Sequence, residues 1–161
     1  MNSYEINQDT LAIIPKTNKK TIVYEKDRNY VINNNVDKIM EDSCRYYGST
    51  FKGRQSGAKS LINITHKVPI IVEETNDLIF FPTASPRLNS CSWISLNNIK
   101  YYERDMRGCK ITFKDGKSVI LPISYGIINN QILRSSRLQM MLDKRKEQKN
   151  DKNDKNTKNN E

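Results

Sequence analysis

Residues 43–72 form a stretch of thirty residues without a single aspartate or glutamate, in a chain that has 18 acidic residues. Solvated surfaces usually mix charges of both signs, so a stretch with only positive charges indicates a surface that attracts a polyanion. An idle solvated face is the alternative interpretation of the same charges. The expected contact residues in this stretch are Arg45, Lys52, Arg54, Lys59 and Lys67.

Aromatic residues and glycines lie between these charges. Tyr46, Tyr47 and Phe51 could stack on nucleic-acid bases or fill a core, and the helical spacing favours the core for Tyr47. The glycines fit a bend at which backbone N–H groups approach a phosphate, although plain turns need glycine equally. No phosphate-binding loop motif accompanies them. The glycines are Gly48, Gly53 and Gly57.

The net charge of +9 favours nucleic acid as a partner, ahead of an anionic membrane. Residues 143–161 carry seven lysines or arginines against five acids, a net of +2, so residues 1–142 retain +7. Residues 148–161 are rich in Asn and Lys, lack apolar side chains, and are predicted to be a disordered tail. Residues 1–147 are predicted to be one folded, DNA-binding domain.

Neither catalysis nor metal binding is indicated by the histidine and cysteine positions. His66 is the only histidine, so a catalytic triad would have to be built around it. A zinc site would need it together with Cys44, Cys91 and Cys109, whose spacing matches no zinc motif. Unpaired cysteines are usually buried core residues. We therefore expect no enzyme activity, no catalytic residue, no metal and no cofactor.

The apolar runs are too short for a membrane span, which requires about 18 residues, and we expect no membrane association. The N-terminus also lacks the basic and then apolar segments of a signal peptide. These features indicate a cytoplasmic protein.

Short alternating runs in the first third, "LAIIP", "TIVYE" and "NYVIN", predict three antiparallel strands. A helix of about three turns should follow over residues 36–47, with Asn35 as its N-cap and Gly48 just beyond its end. Strand patterns return in "SLINITHKVPIIVEE" and "DLIFFPT", with a hairpin turn at residues 75–77. Pro69, Pro82 and Pro86 restrict these runs to sheet edges or strand ends.

The segment "ITFKDGKSVIL" gives the clearest local signal for a hairpin. Asp115 and Gly116 separate two alternating runs, as in a two-residue type I′ turn. That register would place Ile111, Phe113 and Ile120 on one face.

A helical period follows Pro122, with Ser124 as the predicted N-cap of a C-terminal helix. Arg134 and Arg137 lie outside its apolar arc and form a second candidate basic patch. Leu133, Met140 and Met141 also lie off the arc and suit a subunit contact. The predicted core positions are Ile127, Ile128, Ile132, Leu138 and Leu142. The fold class is therefore α+β, mainly antiparallel sheet with an early inserted helix and a C-terminal helix.

Several blocks together resemble the competence transcription factor family, ComK. They are "SCRYYGS", "GRQSG", "ITHKVPIIV", "IFFPTAS", "CSWIS" and "ITFKDGKSVILPIS", followed by Gln131, Arg134 and Leu138. The resemblance runs from about Tyr4 through the terminal helix, and the tail departs from it. No helix-turn-helix or zinc module is visible in the sequence.

The resemblance implies a DNA-binding transcriptional activator of the genes for DNA uptake, without enzyme activity. It further implies a homo-oligomer on A/T-rich boxes in double-stranded DNA, approached from the minor groove, and an adaptor protein of a Clp-type protease as a partner. The alternative is a regulatory interaction module without DNA activity, which binds an acidic partner through the same basic surface.

Overall fold

A six-stranded antiparallel sheet is the centre of the fold, in a computed structural model that describes residues 1–160. Its strands are β1 (Thr10–Thr17), β2 (Lys20–Glu25), β3 (Asn29–Ile32), β4 (Ile70–Glu73), β5 (Leu78–Pro82) and β6 (Trp93–Ser95). Their order across the sheet is β3-β2-β1-β6-β5-β4. Each half is a local meander, and the halves join only where β1 pairs with β6.

Successive residues of a strand point to opposite faces of the sheet. Both faces of this sheet are buried. Phe80 and Trp93 pack on the first face, and Phe81 and Ile94 pack on the second. The predicted three strands of the first third and the hairpin at residues 75–77 are confirmed.

A three-stranded sheet, comprising β7 (Ile99–Asp105), β8 (Gly108–Phe113) and β9 (Ser118–Leu121), covers the second face. The β8–β9 hairpin is confirmed, but its predicted turn and register are wrong. Its loop has three residues, in which Gly116 has φ +93° and donates its N–H to the Phe113 carbonyl at 2.9 Å. The extra residue places Val119 opposite Ile111 and moves Ile120 to the other face.

Helix α1 (Val36–Tyr46) covers the first face and agrees with the predicted helix. The side chain of Asn35 caps it by accepting the N–H of Lys38 at 2.9 Å. Gly48, with φ +86°, follows the helix in the left-handed conformation that glycine tolerates best.

A second helix, α2 (Phe51–Ile62), was not predicted, and it contains twelve of the thirty residues of the acid-free stretch. Thr50 caps it by accepting the Gly53 N–H at 3.0 Å. Its two interior glycines disfavour a helix by about 1 kcal/mol each relative to alanine. Burial of Ala58 and Ile62 against the C-terminal helix and strands β4 and β5 compensates for this cost. The strand pattern predicted for "SLINITH" is therefore wrong, and Gly53 and Gly57 lie in a helix instead of a bend.

Helix α3 (Tyr125–Asn159) is capped by Ser124, as predicted. Its predicted core positions are at least partly buried except Ile127, which is 38% exposed. Leu133 and Met140 are exposed, at 61% and 59%, whereas Met141 packs against the core and was wrongly assigned to the outer surface.

The end of α3 differs from the disordered tail that the sequence predicted, since the structure continues the helix through Asn159. All side chains of residues 148–159 are exposed, so this part gains no stability from packing. The boundary at residue 147 stays a prediction.

These elements confirm the α+β class, with antiparallel sheets, an early helix and a C-terminal helix. Within residues 1–160, no helix has the length and apolar character needed to cross a membrane.

Candidate nucleic-acid interface

The loop that joins α2 to β4, residues 63–69, is held against α3 by hydrogen bonds. The Gln131 amide nitrogen donates to the carbonyl of Lys67 at 2.9 Å and to that of Pro82 at 2.7 Å. One guanidinium nitrogen of Arg134 donates to the His66 carbonyl at 3.1 Å. These bonds fix the position of Lys67 relative to α3.

A cleft of about 570 Å³ opens beside this loop. Its basic side chains come from the end of α2, from the loop and from the segment after β5. Asp37 and Glu41 of α1 also line the cleft, and burial raises the pKa of Asp37. Phe51 and Met40 contribute apolar lining. The basic residues of the cleft are Lys59, Lys67 and Arg87, with His66 next to them.

Two of the predicted contact residues already have carboxylate partners, and we call them the paired group. Arg45 contacts Glu41 at 2.7 Å, with 65% of its side chain exposed. Arg54 contacts Glu74 at 3.5 Å and is only 21% exposed, and its Nε is buried without a hydrogen-bond partner. Both carboxylates lie just outside the acid-free stretch, so the folded chain partly neutralises charges that appear unopposed in the sequence.

The other predicted contact residues make no ion pair within residues 1–160, and we call them the open group. Lys52 and Lys59 are seven residues apart and therefore lie on one side of α2. Between them that side carries only small or uncharged side chains. Arg134 is half-buried, whereas Arg137 is exposed. The open group is Lys52, Lys59, Lys67, Arg134 and Arg137.

Of the three aromatic residues in the stretch, only Tyr46 is exposed, at 68%. Tyr47 donates its hydroxyl to the carbonyl of Ile6 at 2.7 Å, as its predicted core role requires. Phe51 packs edge-on against Trp93, with ring centroids 5.6 Å apart. Tyr46 is therefore the one side chain of the three that is free to stack on a base.

The three cysteines lie in the buried core, whereas His66 lies on the surface. Burial raises the pKa of the Cys44 and Cys91 thiols to about 11, so both are protonated at neutral pH. Cys109 lies in the other core cluster, and His66 is on the exposed loop. Among residues 1–160, no three potential metal ligands come together.

Two residues of this region were not identified as site residues from the sequence. Arg87 stands alone among uncharged neighbours in the segment after β5, so no pattern marked it. Gln131 was noted only as part of the family resemblance, because its role depends on two carbonyls distant in sequence.

Comparison with known proteins gives a consistent result for most of the chain. The model of the family described as ComK protein matches residues 1–147. The competence transcription factor of Bacillus subtilis (strain 168) is 34% identical over 149 residues, covering 90% of this chain and 78% of that protein. No solved structure matches the chain.

Proposed function

The chain belongs to the ComK protein family and is a competence transcription regulator; we propose that it activates genes for DNA uptake by binding A/T-rich boxes in double-stranded DNA. The relative is a transcription factor, and the comparisons thus relate the chain to a regulator and not to an enzyme. The observation that carries the proposal, beyond family membership, is the open group of basic residues, of which Lys59, Lys67 and Arg134 lie at or beside the 63–69 loop.

The open group supports phosphate binding because none of its residues has a carboxylate partner within residues 1–160. Lys59 and Lys67 share one cleft, and Arg134 is hydrogen-bonded to the same loop. Cations that lack a carboxylate partner can release counterions from DNA, which is the main source of non-specific affinity. All seven predicted residues remain candidates, with the paired group ranked below the open group.

We propose that the protein reads its boxes from the minor groove. A/T runs narrow this groove and concentrate negative potential, which favours an inserted arginine. Arg137 suits this role best among the predicted residues, because it is exposed and has no carboxylate partner within residues 1–160. Lysines of the open group would then bind the flanking phosphates.

The first experiment is a footprint of purified protein on a promoter fragment with A/T-rich boxes. We expect protection of the boxes and at least about a thousandfold weaker binding to a scrambled duplex, as is typical of specific regulators. Equal binding to both duplexes at fixed salt would contradict sequence-specific regulation.

Replacing A·T pairs in the boxes by inosine·cytosine separates the grooves, because it keeps the minor-groove acceptors and changes the major-groove pattern to that of G·C. Minor-groove reading predicts retained binding. A loss of about 1–3 kcal/mol for each replaced pair would instead indicate major-groove reading. The first candidate would then be α2, which follows α1 after a four-residue turn and exposes Lys52 and Lys59.

The second candidate function is an interaction module that binds an acidic protein through the same basic surface. Asp37 and Glu41 also line the cleft and would repel an acidic protein there, as they would repel DNA phosphates. Binding of an acidic protein with no measurable binding of duplex DNA would favour this function.

Self-association is also part of the proposal. Leu133 and Met140 are seven residues apart on α3 and both are exposed, so they lie on one side of the helix, with Arg137 between them. Changing both to aspartate should lower the sedimentation mass without unfolding the protein. The matched control changes Leu88 and Met106, which are also exposed, to aspartate. Equal mass for the α3 variant and the parent would show that the contact lies elsewhere.

Family membership leads us to propose an adaptor of a Clp-type protease as a further partner. The test is degradation of the purified chain by the protease with and without the adaptor. Turnover that does not depend on the adaptor would contradict this proposal.

A further inference from the structure

The last part of α3, residues 143–159, extends past the packed body of the protein, and we call it the arm. Its side chains are exposed except for that of Lys146, which is half-buried. Lys146 contacts Asp77 at 2.7 Å, which is the arm's only ion pair within residues 1–160. Gln139 also donates to Asp77, at 3.1 Å. Lys146 thus anchors the start of the arm to the body, and the later residues of the arm make no ion pair within residues 1–160.

One side of the arm carries only basic charges, whereas the other side mixes its acids with Lys144, Lys155 and Lys158. At about 100° per residue, Arg145, Lys149 and Lys152 fall within an arc of about 60°. This arc continues the side of the helix on which Leu138 and Leu142 are buried in the body. The acidic residues lie within an arc of about 80° on the opposite side. They are Asp143, Glu147, Asp151 and Asp154.

The basic side of the arm also lines an open groove of about 360 Å³ between the arm and the body. The only acidic residue in its lining is Glu74, which already contacts Arg54 of α2. The groove therefore brings the basic side of the arm close to the body surface that carries α2. Its basic lining consists of Arg145, Lys146, Lys149 and Lys152.

A side with only basic charges is unfavourable for a helix that only faces water. Like charges three or four residues apart repel, as Arg145 does with Lys149 and Lys149 with Lys152. Acids repel in the same way where Glu147 follows Asp143. A helix selected for solubility alone would alternate the signs at these spacings. A polyanion on the basic side would remove the repulsion there, and its binding would favour the helix.

We propose that the arm is a second DNA contact, in which Arg145, Lys149 and Lys152 bind phosphates of the duplex while the acidic side faces away. This inference rests on the proposed DNA binding and adds a sequence-independent surface outside residues 1–142. It also explains why a segment whose composition predicts disorder has one wholly basic helical side, since neutralisation by phosphates would favour its helix.

The experiment measures how the affinity of the full chain depends on salt, for an A/T-box duplex and for a scrambled duplex of equal length and composition. One variant carries Lys149→Gln and Lys152→Gln. The matched control carries Lys144→Gln and Lys158→Gln, which removes the same charge near the acidic side. With about 0.9 slope units per phosphate contact, we expect the first variant to flatten the slope by about 1.8 units on both duplexes and the control to leave it nearly unchanged.

If the two variants have the same salt slope, the arm contact is overturned, whether both slopes are flatter than that of the parent or neither is. This holds even when the parent binds its boxes specifically. A parent that binds both duplexes equally would overturn the proposed sequence-specific function. In that case, a flatter salt slope for the Lys149→Gln, Lys152→Gln variant than for its control would still support the arm contact, because phosphate contacts do not depend on sequence.

Discussion

The paired group and the open group of basic residues come from the same acid-free stretch and from α3, yet they differ in what surrounds them. Arg45 and Arg54 each contact a carboxylate, whereas Lys59 and Lys67 point to one cleft without such a partner. The partners of the paired group, Glu41 and Glu74, flank the stretch in sequence. A run without acids along the chain is therefore not the same as a surface without acids. Substitutions in the paired group and in the open group should therefore have different effects.

The largest expected effect is that of Gln131→Leu, which removes the anchor of the loop that positions Lys67. The change leaves the carbonyls of Lys67 and Pro82 without their donor. One buried and one partly buried carbonyl without a donor should lower the free energy of unfolding by about 2–4 kcal/mol. Calorimetry should show a fall in Tm of at least about 4 °C.

The same substitution also tests how the two groups depend on the loop. Lys67 and Arg134 should lose their fixed positions, while the Arg45–Glu41 pair on α1 should be unaffected. A Tm within 1 °C of the parent would show that Gln131 does not anchor the loop.

The second effect is on DNA affinity, through Lys59→Gln combined with Lys67→Gln. Loss of two phosphate contacts, at about 0.9 slope units each, corresponds to about 60-fold weaker binding at 0.1 M salt relative to a 1 M reference. The matched control, Lys38→Gln with Arg45→Gln, removes two charges that already have carboxylate partners on α1. Fluorescence anisotropy should separate the variants, and equal losses would remove the distinction between the groups.

The third effect converts a paired residue into an open one. Glu74→Gln removes the carboxylate that contacts Arg54, so Arg54 becomes available for one phosphate. Binding should tighten by up to about eightfold at 0.1 M salt. The Arg54→Gln, Glu74→Gln double variant is the control and should lose this gain. Unchanged affinity in Glu74→Gln would place Arg54 outside the interface.

The smallest effect is expected for Arg45→Gln. The pair with Glu41 spans one helical turn and is largely exposed, so its loss should change the free energy of unfolding by about 0.5 kcal/mol or less. The salt slope should also stay within experimental error. A slope flatter by about one unit would show that Arg45 binds a phosphate despite its partner.

The sequence correctly predicted those elements in which the local residue pattern matches the face that is buried. Alternation identified strands β1 to β3, and the cap residues Asn35 and Gly48 marked the ends of α1. Helix α2 was missed because Gly53 and Gly57 weaken its propensity and its stabilising contacts come from β4, β5 and α3. The β8–β9 register was misplaced because Gly116 fits both a two-residue and a three-residue loop.

For the candidate site, the sequence could supply the basic residues but not their partners. Neither the contact of Arg54 with Glu74 nor the anchoring of the 63–69 loop follows from any local spacing. Arg87 lacks basic neighbours in the chain, so only the folded structure brings it to the cleft with Lys59.

The single junction between β1 and β6 determines when the central sheet can be completed. Ala12 pairs with Ile94 and Ile13 with Trp93, whereas every other pairing in that sheet joins strands that follow one another in the chain. The two meanders can therefore form early and separately, but closing a loop of about 80 residues carries an entropic cost that local hairpins avoid. During synthesis, the first meander must keep the edge of β1 unpaired until β6 has been made, which makes that edge the most vulnerable part of the nascent protein to aggregation.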